Sequence, residues 1–290
     1  MLRPVAPLVS GLSALAEDYD ALISDVWGVV HNGLAAHPAA CEALVAFRRG
    51  GGRVILLTNA PRPCGSIHRQ LADLGVPREA YDDLVTSGDV TRETLMARPE
   101  RRIAHVGPDR DLPIYEGLPH QLVADAQADI VVCSGLVDDL TETPDDYRDR
   151  LAALAARGLH MLCANPDLIV ERGEDKVWCA GALAKLYAEE FGGEVTLLGK
   201  PYAPVYGEVR RRIETLFGGP VAADRLLAIG DGLPTDIRGA VGQGLDVLFV
   251  TAGIHAADFG PADAPDPERV AERLKAEGLS VTAYLPRLVW

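Results

Sequence analysis

The stretch Ala21-Leu22-Ile23-Ser24-Asp25-Val26-Trp27-Gly28-Val29 places a carboxylate at the end of a short apolar run. A run of this length reads as a buried strand, and a carboxylate there costs free energy unless it is paired or binds a metal. On its own, Asp25 reads as a structural turn carboxylate. The same form recurs outward from it. Arg53-Val54-Ile55-Leu56-Leu57 ends in Thr58-Asn59, Leu226-Leu227-Ala228-Ile229 runs into Gly230-Asp231, and Leu245 to Val250 forms a further strand. Amphipathic stretches lie between the strands. One helix starts near Pro38 and ends at Arg48-Arg49, before Gly50-Gly51-Gly52; another runs to Leu74 and stops at Gly75. The three glycines are a helix stop, because no GxGxxG or Walker pattern accompanies them. Strands alternating with helices predict a doubly wound, Rossmann-like α/β core with a parallel sheet. Ligands of such sheets bind outside the carboxyl ends of the strands. Asp25, Thr58, Asn59 and Asp231 are therefore expected along one edge.

The chain has 290 residues, a length that favours about two domains. Its 48 % apolar content suffices for a sizeable core. The formal net charge of −14 and the lack of a Lys/Arg-rich run interleaved with aromatics argue against nucleic acid as a partner. A small anionic substrate requires local positive charge at the site. Cys41, Cys64, Cys133, Cys163 and Cys179 form no CxxC pair and suit reduced, buried thiols. The apolar stretch after Arg3 is interrupted by Pro4, Pro7 and Gly11, and no run approaches the ~18–20 residues that span a membrane. The expected location is cytoplasmic, with no membrane partner; the sequence does not set the oligomeric state. Apolar runs at Ile103–Val106, Ile130–Cys133 and His160–Cys163 form a second βα series between Gly88 and Gly192. The expected organisation is a core of residues 1–88 and 193–290 with an inserted α/β cap at 89–192.

Three further elements carry chemistry. Thr58-Asn59 after a strand serves equally as an N-cap and as a phosphate-binding helix start. In Gly199-Lys200-Pro201, the proline keeps Lys200 out of helical geometry; an isolated lysine is otherwise a solvated charge. Gly230-Asp231-Gly232-Leu233-Pro234-Thr235-Asp236-Ile237 offers two carboxylates across a glycine-bearing turn, which suits a hard, oxygen-ligated cation such as Mg²⁺ or a plain turn.

The ordered set of strand-end Asp, strand-end Thr-Asn, Lys before Pro, and strand-end Gly-Asp with a second Asp resembles the haloacid dehalogenase superfamily of hydrolases. The insertion falls where that superfamily carries its larger, C2-type cap. Asn165-Pro166-Asp167 within it resembles a segment of the class IIA branch, which includes nitrophenyl-phosphate and sugar-phosphate phosphatases. The resemblance implies that Asp25 is a nucleophile forming an aspartyl-phosphate. It implies Mg²⁺ held by Asp25, the Trp27 main-chain carbonyl and Asp231, with Asp236 close by. Thr58 and the N–H groups around Asn59 would hold phosphoryl oxygens, and Lys200 would pair with the nucleophile and the phosphoryl group. Asn165 and Asp167 are assigned to the substrate side of the cap, with a structural turn as the alternative for both. The implied partner is a small phosphorylated metabolite.

One position departs from the pattern. Phosphatases of the superfamily carry a second aspartate two residues after the nucleophile, where it serves as general acid and base; here that residue is Trp27. Indole performs no proton transfer at neutral pH, and such help is typically worth about 10²–10⁴-fold. His31 is the nearest titratable residue and is expected at the surface or against the cap. Three accounts follow: a phosphatase with a displaced acid/base or a good leaving group, a metal-independent haloacid dehalogenase, and a non-catalytic binder of a phosphorylated ligand.

Overall fold

The apolar runs become strands where the sequence places them. The computed structural model describes residues 6–172 and 175–290. Its strands are, in chain order, β1 (Ala21–Asp25), β2 (Arg53–Thr58), β3 (Asp83–Thr86), β4 (Arg102–Val106), β5 (Gln121–Leu122) and β6 (Ile130–Cys133). There follow β7 (His160–Cys163), β8 (Ile169–Arg172), β9 (Asp175–Trp178), β10 (Val195–Leu197), β11 (Leu226–Gly230), β12 (Asp246–Val250) and β13 (Ala283–Leu285). The chain divides into two compact units: Met1–Thr58 with Arg69–Val85 and Tyr206–Trp290, and Asn59–His68 with Thr86–Val205. The second unit thus holds all of 89–192 and takes in residues 59–68, 86–88 and 193–205 as well.

In the first unit, six strands run in the order β13-β12-β11-β1-β2-β3. β1 pairs in parallel with β11 on one side and β2 on the other, and β12 joins β11 to β13, also in parallel. Both faces are covered, so every residue of β1 and of β11 is buried and the strands read as continuous apolar runs rather than alternating ones. This is the doubly wound α/β core expected from the sequence. The chain order reverses between β1 and β11, and Asp25 and Asp231 both stand at that reversal, where an open sheet leaves a crevice outside its carboxyl ends.

The flanking helices begin and end for the reasons read from the sequence. The helix Pro38–Arg49 has proline in its first turn and arginines in its last. Gly51 behind it takes φ +99, a backbone region that glycine enters without steric cost. Arg48 donates to both carboxylate oxygens of Asp82, at 2.8 and 2.7 Å. Asp82 also accepts the Val54 N–H at 2.8 Å, so one partly buried carboxylate ties the helix end to the start of β2. At the C-terminus, Leu285 pairs with Val250 in the sheet and Leu288 is buried, while Trp290 is half exposed. The apolar tail therefore packs mainly on its own core.

The second unit carries a five-stranded sheet in the order β10-β7-β6-β4-β5, with parallel registers, and a separate antiparallel hairpin, β8–β9. Its core includes Val106, Val131, Cys133, Met161, Cys163, Leu183 and Tyr187. The cysteines are free thiols, four of them buried. Among the described residues no helix is long and apolar enough to cross a membrane.

Ile55 is fully buried in β2, between β1 and β3. Ile55→Ala is expected to destabilise the fold by about 2–5 kcal/mol through lost transfer energy and a residual cavity, read as a lower midpoint in guanidinium unfolding followed by circular dichroism.

Candidate active site

Asp25 ends β1, and Asp231 follows β11 directly. Asp236 lies in a single π-helical turn, Leu233–Ile237, in which the Ile237 N–H bonds the Gly232 carbonyl at 3.1 Å. The three carboxylates are 7 %, 6 % and 7 % exposed. One oxygen from each lies within 4.8 Å of the others. Two unit charges about 4 Å apart repel by about 4 kcal/mol even at an effective dielectric of ~20. Three carboxylates held this close, away from water, form a donor set made for a cation. All-oxygen donors select a hard divalent ion, so the residues fit Mg²⁺ by their chemistry.

Local hydrogen bonds fix the Asp25 main chain and the other two carboxylates. The Ser24 hydroxyl donates to the Asp25 carbonyl at 2.9 Å. The Gly232 N–H donates to Asp236 Oδ2 at 3.0 Å, and the Ile254 N–H donates to Asp231 Oδ2 at 2.8 Å. Asp231 is wedged between two glycines: a Cβ on Gly28 or on Gly253 would overlap its carboxylate. Gly28 also has φ +81, so any side chain there is strained as well as crowded. The sequence reading missed Gly253 and Ile254. The available signal was their place just beyond the carboxyl end of β12, the same edge that supplies the aspartates.

Trp27 begins a tight excursion that returns at His37. Gly28 N–H bonds the His31 carbonyl at 2.8 Å, and His37 N–H bonds the Val30 carbonyl at 2.7 Å. Asn32 Oδ1 accepts from the N–H groups of Leu34 and Ala35, both at 3.0 Å. The indole packs edge-on against the His31 ring, with centroids 5.0 Å apart. A Cβ on Gly33 would come within 2.6 Å of the indole, so Gly33 makes room for the ring. His31 is not a surface residue: it is 2 % exposed. Its Nδ1 accepts the Gly33 N–H at 2.9 Å. Burial first, and the neighbouring His37 second, push its pKa down to about 4. At neutral pH it is an uncharged packing partner of Trp27.

Thr58 closes β2 and is buried. The remaining predicted residues meet in the second unit. Lys200 is 4 % exposed and precedes a cis peptide bond to Pro201. Its N–H donates to Asn59 Oδ1 at 2.7 Å, and its carbonyl accepts from Asn59 Nδ2 at 3.2 Å. Asn59 Nδ2 also donates to Asp167 Oδ1 at 2.8 Å. Asn165 Oδ1 accepts the Asp167 N–H at 3.0 Å, an Asx-type turn. Its side chain thus shapes the segment that presents Asp167.

A further polar group at the switch point of the second sheet, between β4 and β6, was not foreseen. Asp111 and Ser134 are buried there, and His105 Nδ1 lies 2.7 Å from the Tyr115 hydroxyl. Burial raises the Asp111 carboxyl above its usual range despite the pull of Arg110 and Arg62.

With this geometry in place, comparison with known proteins is decisive. A family model of haloacid dehalogenase-like hydrolases matches residues 22–118, and a second, HAD-hydrolase-like, matches residues 197–276. A crystal structure of a haloacid dehalogenase-like hydrolase from Brucella suis shares 46 % identity with this chain, covers 97 % of it and 100 % of its own length, and superposes with a TM-score of 0.87. The chain belongs to the haloacid dehalogenase-like hydrolase family. Among its relatives in that family, the ribonucleotide monophosphatase NagD of Escherichia coli is 24 % identical over 245 residues, covering 82 % of this chain and 89 % of its own. The D-glycerol 3-phosphate phosphatase of Mycobacterium tuberculosis is 26 % identical over 258 residues, covering 85 % and 67 %. The haloacid dehalogenase-like chain described here is accordingly a hydrolase.

The crowding of like charge yields a prediction for the metal-free protein. Asp236→Asn keeps an oxygen for the Gly232 N–H and removes one of the three charges. It is expected to raise metal-free stability by roughly 0.5–2 kcal/mol, measured as a higher melting temperature in EDTA. The gain should vanish in excess divalent cation, which stabilises only the intact cluster.

Proposed function

We propose that this hydrolase is a Mg²⁺-dependent phosphomonoester phosphatase of the class IIA branch, acting on a small phosphorylated metabolite. The observation that carries the reading is the buried cluster of Asp25, Asp231 and Asp236, whose oxygens lie within 4.8 Å of one another. A metal-independent dehalogenase has no use for three crowded carboxylates. The phosphatase activities named for the NagD and glycerol 3-phosphate relatives support the same class of substrate. In this reading residues 89–192 act as the cap that selects the substrate, and Asn165 and Asp167 belong to its substrate side.

Asp25, Asp231, Asp236 and the Trp27 carbonyl would hold Mg²⁺, which when bound screens the repulsion between an anionic nucleophile and an anionic phosphate. An oxygen of Asp25 attacks phosphorus and displaces the alcohol, leaving an aspartyl-phosphate; water then attacks phosphorus, restoring Asp25 and releasing phosphate. Thr58 and the backbone N–H groups near Asn59 receive phosphoryl oxygens. Lys200 supplies the positive charge that an acidic chain otherwise lacks. Trp27 contributes its carbonyl and no proton, and His31, buried and uncharged, does not replace the missing acid. The leaving group therefore departs with little protonic help from this loop, which favours phosphate joined to a stable anion, as in an acyl or aryl phosphate.

The test is phosphate release from acetyl phosphate, 4-nitrophenyl phosphate and glycerol phosphate, with Mg²⁺ and with EDTA. Release should require the metal, and Asp25→Asn should lower kcat by roughly 10³-fold or more. Release that survives Asp25→Asn, or halide release from a haloacid without metal, would remove the phosphatase assignment; saturable phosphate binding without turnover would leave a binder.

Trp27→Asp restores a titratable group at the leaving-group side. It is expected to raise kcat on glycerol phosphate by about 10²–10⁴-fold and to change turnover of acetyl phosphate far less, as followed by steady-state kinetics on both substrates.

A further inference from the structure

Asn59 follows the strand-end threonine and was expected near the phosphoryl group. Its carboxamide is already full. A side-chain amide has two N–H donors and two acceptor positions on its oxygen, and all four are used in the second unit. Nδ2 donates to Asp167 Oδ1 at 2.8 Å and to the Lys200 carbonyl at 3.2 Å. Oδ1 accepts the Lys200 N–H at 2.7 Å and the Ser87 hydroxyl at 3.3 Å. The orientation of the amide follows from these partners, since the flipped form would set N–H against N–H at Lys200. Asn59 is 4 % exposed and Ser87 fully buried, so each of these bonds is costly to lose.

The surroundings are built for this approach. Gly199 has φ +146, and a Cβ there would sit 2.5 Å from Asn59 Oδ1 and 2.7 Å from Pro166 Cδ. Any side chain at 199 would thus separate Asn59 from Lys200. Gly181 donates its N–H to the Asp167 carbonyl at 3.0 Å, and a Cβ on it would overlap the main chain of Pro166 and Asp167. Asn165 fixes the Asp167 N–H from within the turn. Lys200 and Asp167 are far apart in sequence, and one buried amide sets both.

We propose that Asn59 is a positioning residue: its side chain fixes the Lys200 main chain and the Asp167 carboxylate and does not itself bind the phosphoryl group. The kinetic consequence rests on the phosphatase reading above; the structural one does not. Asn59→Asp keeps the shape but loses both donors and sets a carboxylate against Asp167. Asp167→Asn leaves the wild-type Asn59 facing a second amide. The double variant Asn59→Asp/Asp167→Asn returns a donor–acceptor pair with the roles exchanged.

The experiment measures kcat and KM for 4-nitrophenyl phosphate with Mg²⁺ in the four proteins, together with hydrogen–deuterium exchange of the peptide containing the Lys200 amide. Asn59→Asp should lower kcat by roughly 10- to 100-fold, the scale of a small misplacement of site groups. It should leave KM within about 3-fold and speed exchange at Lys200. The double variant, in which position 167 donates to position 59 while the Lys200 carbonyl still lacks its donor, should recover part of kcat and of the protection. A double variant no better than the worse single one overturns the proposal, as does an Asn59→Asp protein whose KM alone rises more than roughly 10-fold. If the wild type releases no phosphate, the phosphatase reading fails and exchange alone decides: protection lost in Asn59→Asp and partly regained in the double variant supports the positioning role, and unchanged protection overturns it.

Discussion

Three carboxylates held within 4.8 Å of one another and away from water set the terms for the first unit. Such an arrangement opposes folding unless something offsets the repulsion, and the structure shows how the chain tolerates it. Two of the acids stand at or just beyond the ends of adjacent parallel strands, β1 and β11. There the sheet itself prevents them from moving apart. Backbone N–H groups from Gly232 and Ile254 meet two of the carboxylates, which offsets part of the desolvation. The continuous apolar strands behind them supply the burial that holds these ends in place.

Most of this was legible in the sequence because strand ends leave a strong trace. An apolar run that stops at Asp25, Thr58 or Gly230-Asp231 announces both the strand and its carboxyl end, and each of these runs forms a strand of the core sheet. Gly51 ends a helix as its composition suggested. What escaped was whatever depends on packing between segments distant in sequence. Nothing in the neighbourhood of His31 reveals that it packs on Trp27 and accepts the Gly33 N–H, so it reads as a surface or cap-contacting residue although it is buried. β3 and β13 are short, and β13 sits in a C-terminal stretch whose apolar character points only to burial.

The amide of Asn59 illustrates a second limit. A strand-end Thr-Asn pair suggests one role shared by both residues, yet the Asn59 side chain is committed to Ser87, Asp167 and Lys200. Counting hydrogen-bond positions on the carboxamide requires knowing that Ser87, Asp167 and Lys200 converge on it, and no local pattern carries that information. The Asn165-Pro166-Asp167 segment is similar: its first residue folds the turn and its last faces Asn59. A motif of this kind is read correctly as a unit before its members can be told apart.

The glycines that flank Asp231 have a consequence for reading damaged or divergent copies of this architecture. Gly28 and Gly253 contribute no functional atom beyond the backbone, yet each leaves empty the volume that the Asp231 carboxylate occupies. A chain that retained all three aspartates while carrying a larger residue at either position would keep the acidic signature and lose the space that the Asp231 carboxylate fills. Inventories of acidic residues would score such a chain as intact. The absence of a side chain at two points remote in sequence is thus as much a condition for the acidic cluster's geometry as the presence of the carboxylates themselves.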